Sequence, residues 1–139
     1  MPGKQTFTMI KPGAVQKKFA GAILQKISEA GFVIKALRLT QMTKRQAGEF
    51  YSIHKGKPFY EGLIDFMSSG PVIAGILEKE NAVADFRHLI GATDPIEAEE
   101  GTIRKLFAES KSHNAIHGSD SDENAIIESD FFFSKTERF

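Results

Sequence analysis

The sequence predicts an α+β fold with a mostly antiparallel sheet. Short runs of β-branched and aromatic residues alternate with stretches whose apolar residues recur at helical spacing. In order, the elements are strand, helix, strand, helices, strand, helix and a last short strand, which indicates an α+β domain. The chain of 139 residues shows no internal repeat or linker. We therefore expect residues 1–139 to form one domain with its own core.

The first half of the chain predicts two strands and three helices. Residues 6–10 form a β-branched and aromatic run that a Lys-Pro-Gly turn ends. Residues 19–30 place apolar side chains on one helical stripe before a glycine, and residues 32–39 resemble a second strand. Residues 43–51 open with a threonine followed three positions later by a glutamine, which is a capping box. Residues 60–67 form another short helix, closed by Ser-Ser-Gly-Pro.

The second half completes the sheet and adds helices. Residues 72–77 are an apolar run between a proline and a charged cluster, which predicts a buried strand. Asn81 is expected to cap the next helix. Residues 102–109 predict a helical stretch, and residues 115–116 a short strand. Residues 119–128 begin with capping and acidic residues that favour a helix start.

The composition is that of a soluble globular protein. Lys plus Arg and Asp plus Glu both number 18, so the formal net charge is zero, whereas dedicated nucleic-acid binders usually carry a basic excess. The absence of cysteine excludes disulfides and thiol chemistry. No apolar run approaches the roughly 20 residues of a membrane-spanning helix, and the first residues lack the apolar region of a signal peptide. We expect a cytoplasmic protein that binds neither membranes nor nucleic acid.

His117 lies in the most informative segment, the octet at 114–121 that reads Asn-Ala-Ile-His-Gly-Ser-Asp-Ser. The glycine after the histidine leaves the ring accessible to a substrate. Imidazole is a good nucleophile and is largely uncharged near neutral pH, so it is suited to attack phosphorus. A His-Gly pair by itself is more often part of a turn, and the octet alone would only suggest a site.

Several further motifs occur with this octet, in a consistent order along the chain. They are Ile10-Lys11-Pro12, Ser69-Gly70-Pro71-Val72, Gly91-Ala92-Thr93 and Gly101-Thr102-Ile103-Arg104. Together with the octet they resemble the nucleoside diphosphate kinases over about residues 6–133. The resemblance implies a ferredoxin-like βαββαβ core with a four-stranded antiparallel sheet. It also implies transfer of the γ-phosphoryl group from a nucleoside triphosphate to a nucleoside diphosphate by a ping-pong mechanism with broad base tolerance.

By this resemblance, His117 is the nucleophile that becomes phosphohistidine. Glu128 matches the carboxylate that holds the ring nitrogen not used for attack, although its position alone would suit a solvated surface residue. Tyr51 matches a tyrosine whose hydroxyl lies beside the histidine and a lysine. Without the resemblance it would be read as a helix residue of the core.

The resemblance also implies a set of nucleotide ligands. Lys11, Arg87 and Arg104 match phosphate ligands, and fixed cations stabilise the negative charge of phosphoryl transfer. Thr93 matches a phosphate-contacting hydroxyl, but Thr-Asp-Pro also reads as a helix entry, and both roles stay open. Asn114, with Lys11, matches residues that contact the sugar hydroxyls.

Phe59 matches the platform on which the nucleobase stacks, and Leu63, one turn further along a helix, would line the same slot. A flat ring can stack on any base, although a single phenylalanine is more often a core residue. Gly13 and Tyr60 depart from the family pattern, in which an acidic or amide residue and a second phenylalanine are usual. Neither belongs to the catalytic set. Two further histidines, His54 and His88, are expected at the surface.

The implied cofactor is Mg²⁺ carried on the nucleotide phosphates, without a dedicated protein cage. The implied assembly is a homo-oligomer, a tetramer or a hexamer, with segment 93–115 and the tail 131–133 as interface parts. The sequence excludes a P-loop kinase, since the Gly-rich Walker motif is absent. Two rivals remain: a ferredoxin-like nucleic-acid-binding module, and a homologue that binds nucleotide without catalysis. The zero net charge opposes the first, and the intact motifs oppose the second.

Overall fold

A computed structural model describes residues 3–139. They form a four-stranded antiparallel sheet with the strand order β2-β3-β1-β4. The strands are Gln5–Ile10 (β1), Val33–Thr40 (β2), Val72–Glu78 (β3) and Ile116–Gly118 (β4). The α-helices are Pro12–Gln16 (α1), Ala20–Glu29 (α2), Lys44–Phe50 (α3), Tyr60–Met67 (α4), Ala82–Ile90 (α5), Ile103–Phe107 (α6) and Asp122–Phe132 (α7).

Strand β1 lies inside the sheet and pairs antiparallel with two neighbours. It pairs with β3 along its whole length, and its last residues pair with β4, where Met9 lies opposite His117. The other end of the sheet is β2, which has β3 as its neighbour. The predicted ferredoxin-like core with an antiparallel sheet is confirmed, with α3 and α4 inserted between β2 and β3.

The alternation of side chains along the strands divides the core between the two faces of the sheet. Phe7 and Met9 of β1 belong to an apolar cluster with α3, α4 and the end of α7, whereas Ile10 belongs to a cluster with α2 and α5. In β4, Ile116 also faces the second cluster. His117 therefore projects from the opposite face, toward the aromatic side chains of the first cluster.

Several predicted helix starts are confirmed in detail. The Thr43 hydroxyl accepts a hydrogen bond from the Gln46 backbone N–H at 3.1 Å, and the Gln46 side chain accepts one from the Thr43 N–H at 2.9 Å, so the capping box forms. Helix α4 has the predicted bounds. Helix α7 is capped by the Ser121 hydroxyl and extends beyond the predicted end at residue 128 to Phe132.

Other predictions are wrong. Asn81 precedes α5 but adopts a left-handed conformation with φ of 54°, and its side chain forms no capping bond within the described residues. No helix begins at Thr93 in the described chain. Instead, Asp94 accepts the backbone N–H of Ile96, which closes a turn. Within the tail 131–133, Phe132 and Phe133 are buried in the chain's own core, and only Phe131 is exposed; the interface role of this tail stays a prediction.

The described residues, 3–139, include no helix with the length and apolar character needed to cross a membrane.

Candidate active site

His117 and Glu128 form the centre of the site. The Nε2 atom of His117 lies 3.0 Å from the Oε1 atom of Glu128, and both side chains are largely buried. The same carboxylate oxygen accepts a 2.6 Å hydrogen bond from the hydroxyl of Ser119. Ser119 is fully buried, and its Oγ atom in turn accepts the backbone N–H of Phe7 at 3.2 Å. Strand β1 thus fixes Ser119, which fixes the carboxylate that holds the imidazole.

The backbone and ring of His117 are held from several sides. The Thr8 hydroxyl donates a 2.9 Å hydrogen bond to the His117 carbonyl oxygen. The Phe50 ring meets the imidazole edge to face, with 5.7 Å between ring centroids, and Phe7 lies at 6.0 Å. These aromatic neighbours leave the imidazole little rotational freedom. The restriction comes from packing in a dense core rather than from polar bonds alone.

Lys11 and Arg104 are buried cations beside strand β4. The Lys11 backbone N–H donates to the Ala115 carbonyl oxygen at 2.9 Å. The Arg104 guanidinium donates to the carbonyl oxygens of Gly91 and Ile116, at 3.0 and 2.8 Å. Burial, reinforced by the charge of Arg104, lowers the pKa of Lys11 to about 7. Burial, reinforced by Arg87, lowers the pKa of Arg104 to about 10.

The three predicted phosphate cations form no ion pair in the described part of the chain. Within residues 3–139, no carboxylate forms an ion pair with Lys11, Arg87 or Arg104. Burial and the neighbouring positive charges disfavour the charged forms of Lys11 and Arg104. An anionic ligand would stabilise the charged forms of these side chains. Clustered cations without a carboxylate partner are the arrangement expected of a preformed phosphate site.

A cavity of about 390 Å³ lies in front of two of these cations, Arg87 and Arg104. Arg87 of α5, Thr93 and Arg104 of α6 line it. The backbone between α5 and α6 bends sharply to form its wall, because Gly91 has φ of 88° and lies against Thr102. A cavity of this volume suits a small polar ligand such as a nucleotide phosphate chain.

A series of rings leads from the imidazole to the surface. Tyr51 lies edge to face with His117 at 6.5 Å, and its hydroxyl has no hydrogen-bond partner within residues 3–139. Burial, reinforced by the charge of Glu128, raises the pKa of the Tyr51 hydroxyl. The His54 ring stacks on Tyr51 at 6.2 Å and approaches Phe59 at 5.3 Å.

Phe59 ends this series as a ring that is 52% exposed. It directly precedes α4, and Leu63 of that helix packs against the core beneath it. A large apolar ring exposed at the surface offers a platform on which a flat ligand can stack.

Asn114 lies where the chain enters β4. Its side-chain Nδ2 atom donates to the Lys111 carbonyl oxygen at 3.1 Å, whereas its Oδ1 atom is buried and has no partner among residues 3–139. The next residue, Ala115, has φ of 73°, an uncommon conformation for a residue with a Cβ atom. A buried oxygen without a donor is the kind of group that a ligand hydroxyl would satisfy.

Comparison with known proteins decides the family. A family model described as nucleoside diphosphate kinase matches residues 4–138. The chain belongs to this family. Its sequence is 60% identical to a nucleoside diphosphate kinase of Prosthecochloris aestuarii, with 96% of this chain and 95% of the other aligned. It is 56% identical to that of Flavobacterium psychrophilum over the full length of both chains.

Solved structures agree with the sequence comparison. A crystal structure of the Aquifex aeolicus nucleoside diphosphate kinase superposes with a TM-score of 0.96 at 44% identity, covering 98% of this chain and 99% of the other. A halophilic member from Halobacterium salinarum, solved in complex with CDP, gives a TM-score of 0.94 at 35% identity. In that comparison 99% of this chain and 91% of the other are covered.

The family member thus brings its predicted site residues into one region. Of the predicted catalytic set, Glu128 and Tyr51 lie beside the imidazole of His117, and Lys11 is buried beside strand β4. The predicted phosphate ligands Arg87, Thr93 and Arg104 line the cavity. Asn114 and Phe59 lie at the margins of this region, the first before β4 and the second at the surface.

Sequence reasoning missed three side chains of this region. Ser119 is two residues after His117 on an extended segment, so the same face of the strand could have signalled it. Phe50 adjoins the predicted Tyr51 but carries no polar group that would attract notice. The prediction that His54 lies at the surface is wrong: it is half-buried between Tyr51 and Phe59, and burial lowers its pKa. His88 is exposed, as expected.

Proposed function

We propose that this chain transfers the γ-phosphoryl group of a nucleoside triphosphate to a nucleoside diphosphate through a phosphohistidine on His117. The observation that carries the proposal is the bond between His117 Nε2 and the Glu128 carboxylate, in a site whose predicted phosphate cations form no ion pair within residues 3–139. A carboxylate accepts hydrogen bonds, so Nε2 is the protonated ring nitrogen. The other nitrogen, Nδ1, then carries the lone pair and is the nucleophile.

The proposed reaction has two mirrored halves. In the first, the Nδ1 lone pair attacks the γ-phosphorus, the bond from this phosphorus to the β–γ bridging oxygen breaks, and the nucleoside diphosphate leaves with the electron pair. In the second, a terminal β-phosphate oxygen of another diphosphate attacks the same phosphorus. The N–P bond then breaks and returns its electron pair to Nδ1. The positive charge that the ring carries in between is stabilised by Glu128.

The phosphate chain would lie in the cavity between α5 and α6. Arg87 and Arg104 would bind phosphate oxygens through their planar guanidinium groups, with Lys11 as a compact charge and Thr93 as a hydroxyl donor. Phosphoryl transfer spreads negative charge over the equatorial oxygens, so fixed cations there lower the barrier.

Mg²⁺ would enter as part of the nucleotide. Within residues 3–139, no group of three or more His, Asp, Glu or Cys side chains is arranged to hold a metal ion. Mg²⁺ commonly keeps several waters and binds through substrate phosphates rather than an all-protein cage. The residues present fit such a metal–nucleotide complex, in which Mg²⁺ would neutralise phosphate charge that Lys11, Arg87 and Arg104 do not contact.

The sugar and the base would contact the margins of the site. Lys11 and Asn114 would bind the sugar hydroxyls, and the base would stack on Phe59 beside Leu63. Because stacking does not read base edges, we expect purine and pyrimidine, ribo and deoxyribo diphosphates to differ little in kcat/KM. Measuring kcat/KM for ADP, GDP, CDP, UDP and TDP tests this. A hundredfold preference for one base over all the others would exclude it.

A labelling experiment tests the reaction itself. Incubation with ATP labelled at the γ-phosphoryl group should give an acid-labile, base-stable label on His117. Added GDP should then remove the label and form GTP. The His117→Ala variant should take up no label while melting at a temperature close to that of the parent protein. Label on His54, His88 or His113 together with normal turnover would overturn the assignment.

We also propose that the chain forms a homo-oligomer, a tetramer or a hexamer. Strand β2 is at one end of the sheet and exposes Val33, Leu37 and Leu39. Ile96 and Leu106, in segment 93–115, are also largely exposed. Apolar surface of this kind supports association of copies of the chain. Sedimentation equilibrium of the full chain tests the proposal, and a monomer would contradict it.

The cytoplasmic location stays a prediction.

A further inference from the structure

His113 and Phe66 form a stacked pair at the edge of the proposed site. Their rings lie nearly parallel, with an interplanar angle of 10° and 4.2 Å between centroids. Phe66 belongs to α4, the helix that also carries Leu63 of the proposed base slot. His113 directly precedes Asn114 of the proposed sugar site. The pair therefore connects the helix behind the base to the loop behind the sugar.

The loop at His113 is closed by its own hydrogen bonds. The backbone N–H groups of Glu109 and Ser110 donate to the His113 carbonyl oxygen, at 3.0 and 3.3 Å. The His113 N–H donates to the Ser110 hydroxyl at 3.1 Å. Asn114 joins the same loop through its bond to the Lys111 carbonyl oxygen. A loop bonded internally in this way moves as a unit, so its position depends on the contacts that hold it to the rest of the chain.

The end of this loop is held at β4 by the Lys11 N–H bond to the Ala115 carbonyl oxygen, and near His113 two side-chain contacts hold the loop to the rest of the described chain. One is the stack on Phe66. The other is an ion pair of Glu109 with Lys17, 3.1 Å long, in which both side chains are about half exposed. An exposed ion pair contributes little because water screens it. The stack is a contact between two flat rings at close range, and it is the stronger constraint on the loop.

We propose that His113 is a positioning residue that, by stacking on Phe66, holds the Asn114 side chain where it binds a sugar hydroxyl of the nucleotide. The proposal rests on the proposed function for the site. Its physical basis is the buried Asn114 Oδ1 atom, which lacks a donor within residues 3–139. A sugar hydroxyl would supply that donor only if the loop keeps its place. The stack thereby links base binding to sugar recognition through α4.

Direct binding measurements test the proposal without turnover. Calorimetric titration gives Kd for ADP and for 2′,3′-dideoxyADP, which lacks both sugar hydroxyls. The parent protein should bind ADP more tightly, and His113→Ala should weaken ADP binding about 3- to 10-fold with little effect on dideoxyADP. His113→Phe should restore the parent's difference in affinity between ADP and dideoxyADP, because a phenyl ring can stack on Phe66 in the same place. Lys17→Ala, which breaks the neighbouring ion pair and leaves the stack, is the matched control and should behave as the parent.

The kinetic result should agree with the binding result. His113→Ala should raise KM for ADP by the same factor and leave kcat within about twofold, since His117 is not displaced. Phe66→Leu, which removes the flat ring from the other side, should reproduce the effect, and thermal melting verifies that each variant is folded. The positioning role would be overturned if His113→Ala kept the parent's ratio of the Kd for dideoxyADP to the Kd for ADP. It would also be overturned if His113→Ala lowered that ratio and His113→Phe did not return it to the parent value. A parent protein that binds ADP but never forms phosphohistidine would instead refute the proposed function.

Discussion

Gly118 lies directly against Phe86, so closely that a Cβ atom at position 118 would stand 2.9 Å from the Phe86 Cδ2 atom. The same Cβ would lie 3.1 Å from the Ile90 Cδ1 atom. Strand β4 thus packs its glycine onto α5, the helix that also carries Arg87 of the cavity. The glycine beside the histidine is required for packing as well as for access to the ring.

Gly118→Ala should therefore lower the free energy of unfolding by about 1–3 kcal/mol, because an extra methyl group in a dense core forces its neighbours apart. Activity should fall as well, since β4 must move to relieve the overlap. Gly21→Ala is the control: a Cβ there meets no atom within 4 Å, and it should raise stability by about 0.5–1 kcal/mol in helix α2. Chemical denaturation measures the free energy of unfolding of both variants. An unchanged free energy of unfolding in Gly118→Ala would contradict the packing argument.

Glu128→Gln should reduce the rate of His117 phosphorylation by about a hundredfold with little change in nucleotide Kd. The amide can still bond to the ring, but it offers no negative charge to the imidazolium and can turn its NH₂ group toward Nε2. A misplaced nucleophile commonly loses about that factor. Rapid-quench measurement of the single-turnover rate tests the prediction. Ser119→Ala should have a smaller effect in the same direction, since it removes one of the bonds to the carboxylate.

Lys11 should make the stability of the nucleotide-free protein depend on pH. Its pKa is about 7 in the folded chain, against 10.5 for an unperturbed lysine. Between these values the unfolded chain binds more protons, so the free energy of unfolding should rise with pH from about 7 to about 10.5. In Lys11→Met, the free energy of unfolding should lack the increase with pH that Lys11 contributes. Denaturant titrations at pH 7, 8 and 9 on both proteins test the prediction, and parallel curves would contradict it.

Gly13→Asp should raise the melting temperature slightly and leave kcat within a few-fold. Gly13 lies in the first turn of α1, where no acidic residue is present among the described positions. A carboxylate there would interact favourably with the helix N-terminus. The backbone does not oppose the change, since Gly13 is not among the glycines with positive φ, and a Cβ would meet Phe66 at an ordinary 3.5 Å. A tenfold loss of activity would show instead that the site responds to charge near Lys11.

Periodicity predicts most elements of the fold because the signal is local. Helix α4 has the predicted bounds to the residue, and the Thr43 capping box forms as expected, since a cap involves residues only three apart. The prediction for Asn81 fails because a residue type that favours caps also tolerates a left-handed conformation, and the tertiary surroundings decide between the two. No helix starts at Thr93 in the described chain for a similar reason. The Asp94 side chain accepts the Ile96 N–H and so stabilises a tight turn in place of a helix.

The family motifs selected His117, Glu128 and the cations, and residue chemistry explained their suitability. The distances that make them a site depend on long-range packing. Ser119 reaches Glu128 because α7 folds back against β1, and His113 meets Phe66 across the loop that ends at Asn114. Short-range patterns describe how a segment bends, whereas the contact of two distant segments depends on the shape of the whole core. For that reason His117 could be predicted as the nucleophile from the sequence, whereas the surroundings that orient its ring could not.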